Sequence, residues 1–119
     1  MIIRKELISD INAISDVTIA AFKTLAISQN TEQFIINALR SANALTISLV
    51  AEIENEIVGH IAFSPVTISD GSLDWHGLGP LSVLPRLHKQ GIGKSLVYEG
   101  LSEVPEGTVE FHKAFLARG

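Results

Sequence analysis

The spacing of apolar residues changes period along the chain, and each change marks an element. Ile2–Arg4 predicts a short first strand. Ser9 or Asp10 then caps a helix in which Ile11, Ile14, Thr18, Ala21, Phe22 and Leu25 recur at the i, i+3, i+4 spacing of one buried stripe. Asn30 followed by Gln33 resembles a capping box, and Phe34, Ile35, Ala38 and Leu39 form a second stripe. The period then drops to two. Leu45, Ile47, Leu49 and Ala51 alternate with Thr46, Ser48, Val50 and Glu52, which predicts a strand with one strongly apolar face. Glu54-Asn55 predicts a tight turn, and Ile57–Ser64 reads as the returning strand of a hairpin. Asp70-Gly71 marks a further turn before a third long strand, Trp75–Leu84. That strand is interrupted by Gly77, Gly79 and Pro80, which implies a bulge, an edge, or a place where something approaches the backbone closely.

The last third returns to helical spacing. Pro85 ends the strand, residues 88–93 read His-Lys-Gln-Gly-Ile-Gly, and a helix Ile92–Ser102 follows with Ile92, Leu96, Val97, Gly100 and Leu101 near one face. Pro105 and Gly107 break it, and Thr108–Phe115 has strand-like β-branched and aromatic character. The expected order is β-α-α-β-β-β-α-β. With helices on both faces of a mixed, mostly antiparallel sheet, this is an α/β (α+β) architecture. With no repeat, linker or low-complexity segment, residues 1–119 read as a single domain.

Composition narrows the function classes. The 119 residues carry a net charge of −4 and no Lys/Arg run, so no nucleic-acid footprint is expected. There is no cysteine, which excludes disulfides and thiolate metal sites and favours a cytoplasmic setting. The charged N-terminus does not fit a signal peptide, and no stretch reaches the roughly 18 apolar residues of a membrane span, so no membrane partner is expected.

The strand, glycine loop and helix start at 78–102 have the makings of an anion site. The first amides of a helix lack intrahelical partners, and the helix dipole adds partial positive charge. Gly91 and Gly93 would let phosphates reach those amides, with Lys89 and Lys94 adding charge. A tight turn with close helix–sheet packing accounts equally for a bare Gly-x-Gly. The segment is neither a Walker loop, since Gly-Lys-Ser at 93–95 lacks the earlier glycine, nor a full three-glycine dinucleotide fingerprint.

Leu-Gly-Pro-Leu-Ser-Val-Leu-Pro at 78–85, followed by Gln-Gly-Ile-Gly-Lys-Ser-Leu-Val at 90–97, resembles the central motif of the GNAT superfamily of acyl-CoA N-acyltransferases. The resemblance covers about residues 1–103. The family pattern is Gln/Arg-x-x-Gly-x-Gly/Ala; here His88 takes the first position and Gly91 and Gly93 the others. The resemblance implies an acetyl-CoA-dependent N-acetyltransferase that acts on a small-molecule or peptide amine, by direct transfer in a ternary complex and without a metal. It implies that backbone groups of Leu81, Ser82 and Val83 pair with the pantetheine arm of acetyl-CoA. Gly91, Ile92, Gly93 and Lys94 would present amides to its diphosphate, with His88, Lys89 and Gln90 shaping the start of the loop. The acceptor amine would enter from the far side, near the first two helices and the strand around Ser64.

The chain departs from the family after the glycine-loop helix. Members usually continue with a strand, a helix and two further strands, whereas 16 residues remain here after Glu103, and Glu106–Phe115 looks like the family's closing strand. The coenzyme normally sits between the motif strand and its next parallel neighbour. Without that neighbour, Leu78–Leu84 would be an exposed apolar edge. Either the tail folds back as a substitute parallel strand after a right-handed crossover, or two chains share tails or edges in a homodimer, the arrangement favoured here. The family often draws the acid for the leaving thiolate from a tyrosine on the missing helix, and the sole tyrosine here is Tyr98, inside the glycine-loop helix. A catalytically inactive relative that keeps the fold and serves as a coenzyme-binding or interaction module is the alternative.

The remaining polar residues are less telling. His60, His76, His88 and His112 have no paired metal spacing and read as surface or half-buried residues; His60 and His76, on central strands, are also candidates for a base. Glu52 and Glu54 read as solvated charges at a hairpin end, with a base acting through water as the other reading. Trp75 reads as a packing anchor, and no Ser/His/Asp set follows from spacing.

Overall fold

The computed structural model describes residues 1–23, 31–66, 75–104, 109–111 and 116–117. The order read from the sequence is the order found. β1 (Ile2–Lys5) leads through a short 3-10 turn to α1 (Ile11–Phe22), and α2 (Glu32–Ser41) follows. β2 (Ile47–Ile53), β3 (Glu56–Val66) and β4 (Trp75–Val83) form an antiparallel meander. A second 3-10 turn, Pro85–Leu87, then leads to α3 (Ile92–Leu101), and the tail contributes β5 (Val109–Phe111) and β6 (Leu116–Ala117). The sheet runs β1-β2-β3-β4-β5, with β6 also on β4. Both tail strands run parallel to β4, so the sheet is mixed and mostly antiparallel.

Local chemistry explains the hairpins. Glu54 and Asn55 have φ of 51° and 66°, the paired left-handed conformation that closes a two-residue β-turn with the right twist. On β4, the residues between Leu78 and Leu81 face a shorter stretch of β3, since Phe63 pairs with Leu78 and Ile61 with Leu81. Gly79 and Pro80 thus sit at the bulge that glycine and proline inside a strand foretold.

Two helical layers bury the sheet on both faces. Ile47, Leu49, Ile61, Phe63, Leu81 and Val83 pack with Ile92 and Leu96 of α3. On the other face, Val50 packs with Ile14 of α1 and Ile36 of α2. β2 is therefore apolar on both sides at Leu49, Val50 and Ala51, where alternation alone predicted one apolar face.

The helices need adjusting in detail. α1 buries Ile14, Val17, Thr18, Ala21 and Phe22; Val17 joins the expected stripe, Ile11 is half-buried, and Leu25 lies outside the described residues. Asp10 stands at the N-cap position of α1 but makes no capping bond to that helix; its carboxylate instead accepts the Leu7 N–H at 2.7 Å and pairs with Arg4 at 2.7 Å. Thr31 occupies the N-cap position of α2; Asn30 of the expected capping box lies outside the described residues, as does the Asp70-Gly71 turn. The stripe expected at Phe34, Ile35, Ala38 and Leu39 is corrected. α2 buries Glu32 and Ile36, one turn apart, while Phe34 is 64% exposed. Three successive apolar residues, Phe34 to Ile36, leave the inward face open to periodicity, and packing on α1 and Val50 decides it. On α3, Leu101 is exposed rather than buried, while Ile92, Gly93, Leu96 and Gly100 face inward.

Candidate functional site

The motif region forms one continuous piece. β4 is buried from Leu78 to Val83 and ends where Leu84 donates its N–H to the Val58 carbonyl at 2.9 Å. The 3-10 turn at Pro85–Leu87 then reverses the chain, and His88 N–H reaches the Pro85 carbonyl at 3.2 Å. The His88 ring folds back onto the strand, its Nε2 lying 2.7 Å from the Val83 carbonyl. A carbonyl only accepts, so Nε2 carries the proton in this contact. His88 thus ties the start of the loop to the end of β4.

Lys89 and Gly91 both take left-handed backbone conformations, with φ of 65° and 85°. Gly91 stands at the N-cap of α3, and no side chain caps the helix there. The first bond closing on Gly91 comes from the Ser95 N–H at 3.0 Å. The amides of Ile92, Gly93 and Lys94 precede that turn and have no acceptor within the helix. A Cβ built on Gly91 meets nothing within 4 Å, so the space before these amides is open. Lys89, Gln90 and Lys94 are exposed around it, whereas Ile92 and Gly93 are buried beneath. An open, left-handed glycine at an uncapped helix start, flanked by two lysines, is an arrangement that accepts a phosphate group.

Packing aims that helix. A Cβ at Gly59 on β3 would lie 3.0 Å from Leu96 Cδ1 and 3.3 Å from Ile92 Cγ2. A Cβ at Gly100 would lie 2.3 Å from Phe63 Cε1. Missing side chains near both ends of α3 let it lie close against β3, which fixes where its amides point.

Leu81, Ser82 and Val83 are placed on β4 as expected, but the outer edge at two of them has a neighbour. Leu81 stands opposite Leu116 and Ser82 opposite Ala117 in the parallel pairing with β6. Further up, His76, Gly77 and Leu78 pair with Val109, Glu110 and Phe111 of β5. The tail thus forms the parallel neighbour of β4 within one chain. Of the strand expected over Thr108–Phe115, Val109–Phe111 is described and is β5, the rest lying outside the described residues, and a second short pairing is made by β6.

Spacing gave no sign of a second polar feature. His60 and Ser82 face each other across β3 and β4, and both are fully buried. His60 Nε2 lies 2.8 Å from Ser48 Oγ, and Ser48 Oγ in turn donates to Glu6. Arg40 of α2 grips the same carboxylate with bonds of 2.8 and 2.9 Å. Burial pushes the His60 imidazole down to about 4; Glu6 opposes that shift and Arg40 adds to it. Burial also works to raise Glu6, but hydrogen bonds from Arg40 and Ser48 outweigh it and hold the carboxyl below its ordinary value. His60 is therefore a deeply buried neutral residue, neither surface nor half-buried. Its Nδ1, Ser82 Oγ and His76 Nδ1 are buried and find no hydrogen-bond partner among the described residues. A cavity of about 370 Å³ opens beside Glu6, Arg40, Ser48 and Glu103, at the end of the sheet opposite the glycine loop.

Other candidates resolve simply. Glu52 pairs with Arg4 at 3.0 Å, and Glu54 is exposed in its turn. Tyr98 lies on the outer face of α3, 65% exposed, with Lys94 Nζ 5.8 Å from its ring centre. Among the described residues, no group of three or more His, Asp or Glu is arranged to hold a metal ion, and no helix is long and apolar enough to cross a membrane.

Comparison with known proteins agrees with this geometry. Residues 13–117 match the model of the acetyltransferase (GNAT) family. The uncharacterized N-acetyltransferase YhbS of Escherichia coli strain K12 is 36% identical over 107 residues, covering 89% of this chain and 61% of its own. The chain thus spans about three fifths of the length of that curated relative. Among solved structures, a GNAT family acetyltransferase from Brucella melitensis in complex with acetyl-CoA is 51% identical with a TM-score of 0.83, over 86% of this chain and 66% of that one. Escherichia coli YhbS in complex with CoA is 32% identical with a TM-score of 0.71, over 85% of this chain and 54% of that one. The β4–loop–α3 unit, the order of its sheet and these likenesses converge: the chain belongs to the GNAT family of acetyltransferases.

Proposed function

We propose that the chain is an acetyl-CoA-dependent N-acetyltransferase acting on an amine, in a cytoplasmic setting that its lack of cysteine favours. The open, left-handed Gly91 at the uncapped start of α3 carries this reading. The amides of Gly91, Ile92, Gly93 and Lys94 bind the coenzyme's diphosphate, with Lys89 and Lys94 supplying charge and His88 and Gln90 shaping the loop. The backbone of Leu81, Ser82 and Val83 pairs with the pantetheine arm. In the reaction, the acetyl group moves from the thioester sulfur to the amine nitrogen. The C–N bond forms as the C–S bond breaks, the amine gives up one proton and the thiolate gains one. The chain contributes mainly by positioning. The two relatives solved with acetyl-CoA and CoA support this assignment.

A second reading, a coenzyme-binding module without turnover, draws on the pairing of β6 with Leu81 and Ser82. A thiol-release assay with acetyl-CoA over a panel of amines separates the two. Turnover supports the enzyme; coenzyme binding without turnover on any amine supports the module. A homodimer through the tail belongs to the same proposal, because β5 ends the strand order and leaves an outer edge among the described residues. A stable monomer in light scattering at micromolar concentration would remove it.

A further inference from the structure

The outer edge of β4 has two claimants. β3 holds the inner edge, with His60 opposite Ser82 and Ile61 opposite Leu81. β6 holds the outer edge at the same two residues. A strand has two hydrogen-bonding edges, and each position on an edge serves one partner at a time. The coenzyme arm, a thin chain bearing two amides, would need the outer edge at Leu81–Val83. β6 also pairs with β4 in a register of its own. The offset between strand partners is 33 residues from His76 to Val109 and 35 from Leu81 to Leu116, so the two tail pairings are out of register with each other. β5 spans three residues of β4 and β6 two. The shorter contact can leave the edge while the longer one stays.

We infer that Leu116–Ala117 is an internal competitor for the coenzyme: the tail and the extended arm exclude each other at Leu81 and Ser82, so coenzyme A binds only as β6 departs. This rests on the coenzyme site proposed above. It gives the tail a second role beyond completing the sheet, as a built-in brake on occupancy of the site.

Calorimetry on the full chain and on the double variant Leu116→Pro, Ala117→Pro tests it, with two probes. Proline removes the backbone donors that pairing requires and leaves the chain length unchanged. Coenzyme A carries both the phosphates and the arm. Adenosine 3′,5′-bisphosphate carries phosphates for the loop and no arm. The expected result is at least fivefold tighter coenzyme A binding in the variant, with bisphosphate affinity unchanged. Equal or weaker coenzyme A binding with unchanged bisphosphate affinity would overturn the competition and leave the coenzyme site standing. Binding of neither probe to either chain would remove the site and the inference together. If the double variant loses bisphosphate binding, Ala117→Pro alone, which removes one donor, is read against the same two results.

Discussion

The Nε2–H of His88 and the carbonyl of Val83 lie 2.7 Å apart, joining the first residue of the glycine loop to the last residue of β4. The family pattern has glutamine or arginine at this position. Here an imidazole fastens the loop from inside, just ahead of the left-handed residues Lys89 and Gly91.

His88→Ala should therefore loosen the loop without disturbing the core. A single neutral hydrogen bond contributes about 1 kcal/mol, so coenzyme A affinity should fall roughly fivefold. His88→Gln, which keeps a donor, should recover part of it. Titration calorimetry on the two variants makes the comparison; equal affinity in wild type and His88→Ala would remove the anchor.

Gly100→Ala tests how α3 is seated. The added methyl would lie 2.3 Å from Cε1 of Phe63, whose side chain is fully buried and has nowhere to go. Overpacking of this kind costs about 1–3 kcal/mol, a fall in Tm on the order of 10 °C. Differential scanning calorimetry should show it, and an unchanged Tm would mean that α3 does not lie this close to β3.

Stability should fall in mild acid. His60 titrates at about 4 in the folded chain and at 6.5 as an ordinary histidine, so the unfolded chain binds the extra proton between those values. Stability is thus full above pH 6.5 and declines as pH drops toward 4, by roughly 3 kcal/mol for this residue alone. Glu6 and Asp10, both held below their ordinary values, lose their contributions at still lower pH, as their folded forms protonate. Denaturant unfolding from pH 7 to 4 should show the slope in wild type and a much smaller one in His60→Gln. Identical slopes would contradict the burial of a neutral His60.

Legibility in the sequence followed the reach of each signal. The β2–β3 hairpin was readable because Ile47, Leu49 and Ala51 alternate and Glu54-Asn55 supplies its turn. The strand–loop–helix motif of the family was readable because its residues are contiguous, from Leu78 to Leu101. The face of α2 was not, since Phe34, Ile35 and Ile36 are all apolar and only tertiary packing selects Ile36. Nor was the Glu6–Ser48–His60 chain, whose members come from separate segments that meet only when β2 pairs with both β1 and β3. The tail was readable as a strand, but its place beside β4 was one of two arrangements left open, with the homodimer favoured, because pairing and register are not specified by local composition.

Gly91 offers the most direct test of the coenzyme site. Its φ of 85° suits glycine and is tolerated by asparagine and aspartate, and a Cβ there meets nothing. Gly91→Asn and Gly91→Asp therefore match in size and backbone demand and differ in charge. Calorimetry with acetyl-CoA should show binding to wild type, a modest loss in Gly91→Asn, and at least a hundredfold loss in Gly91→Asp, where a carboxylate faces the diphosphate. Unchanged affinity in Gly91→Asp would contradict the account and take the loop out of the site.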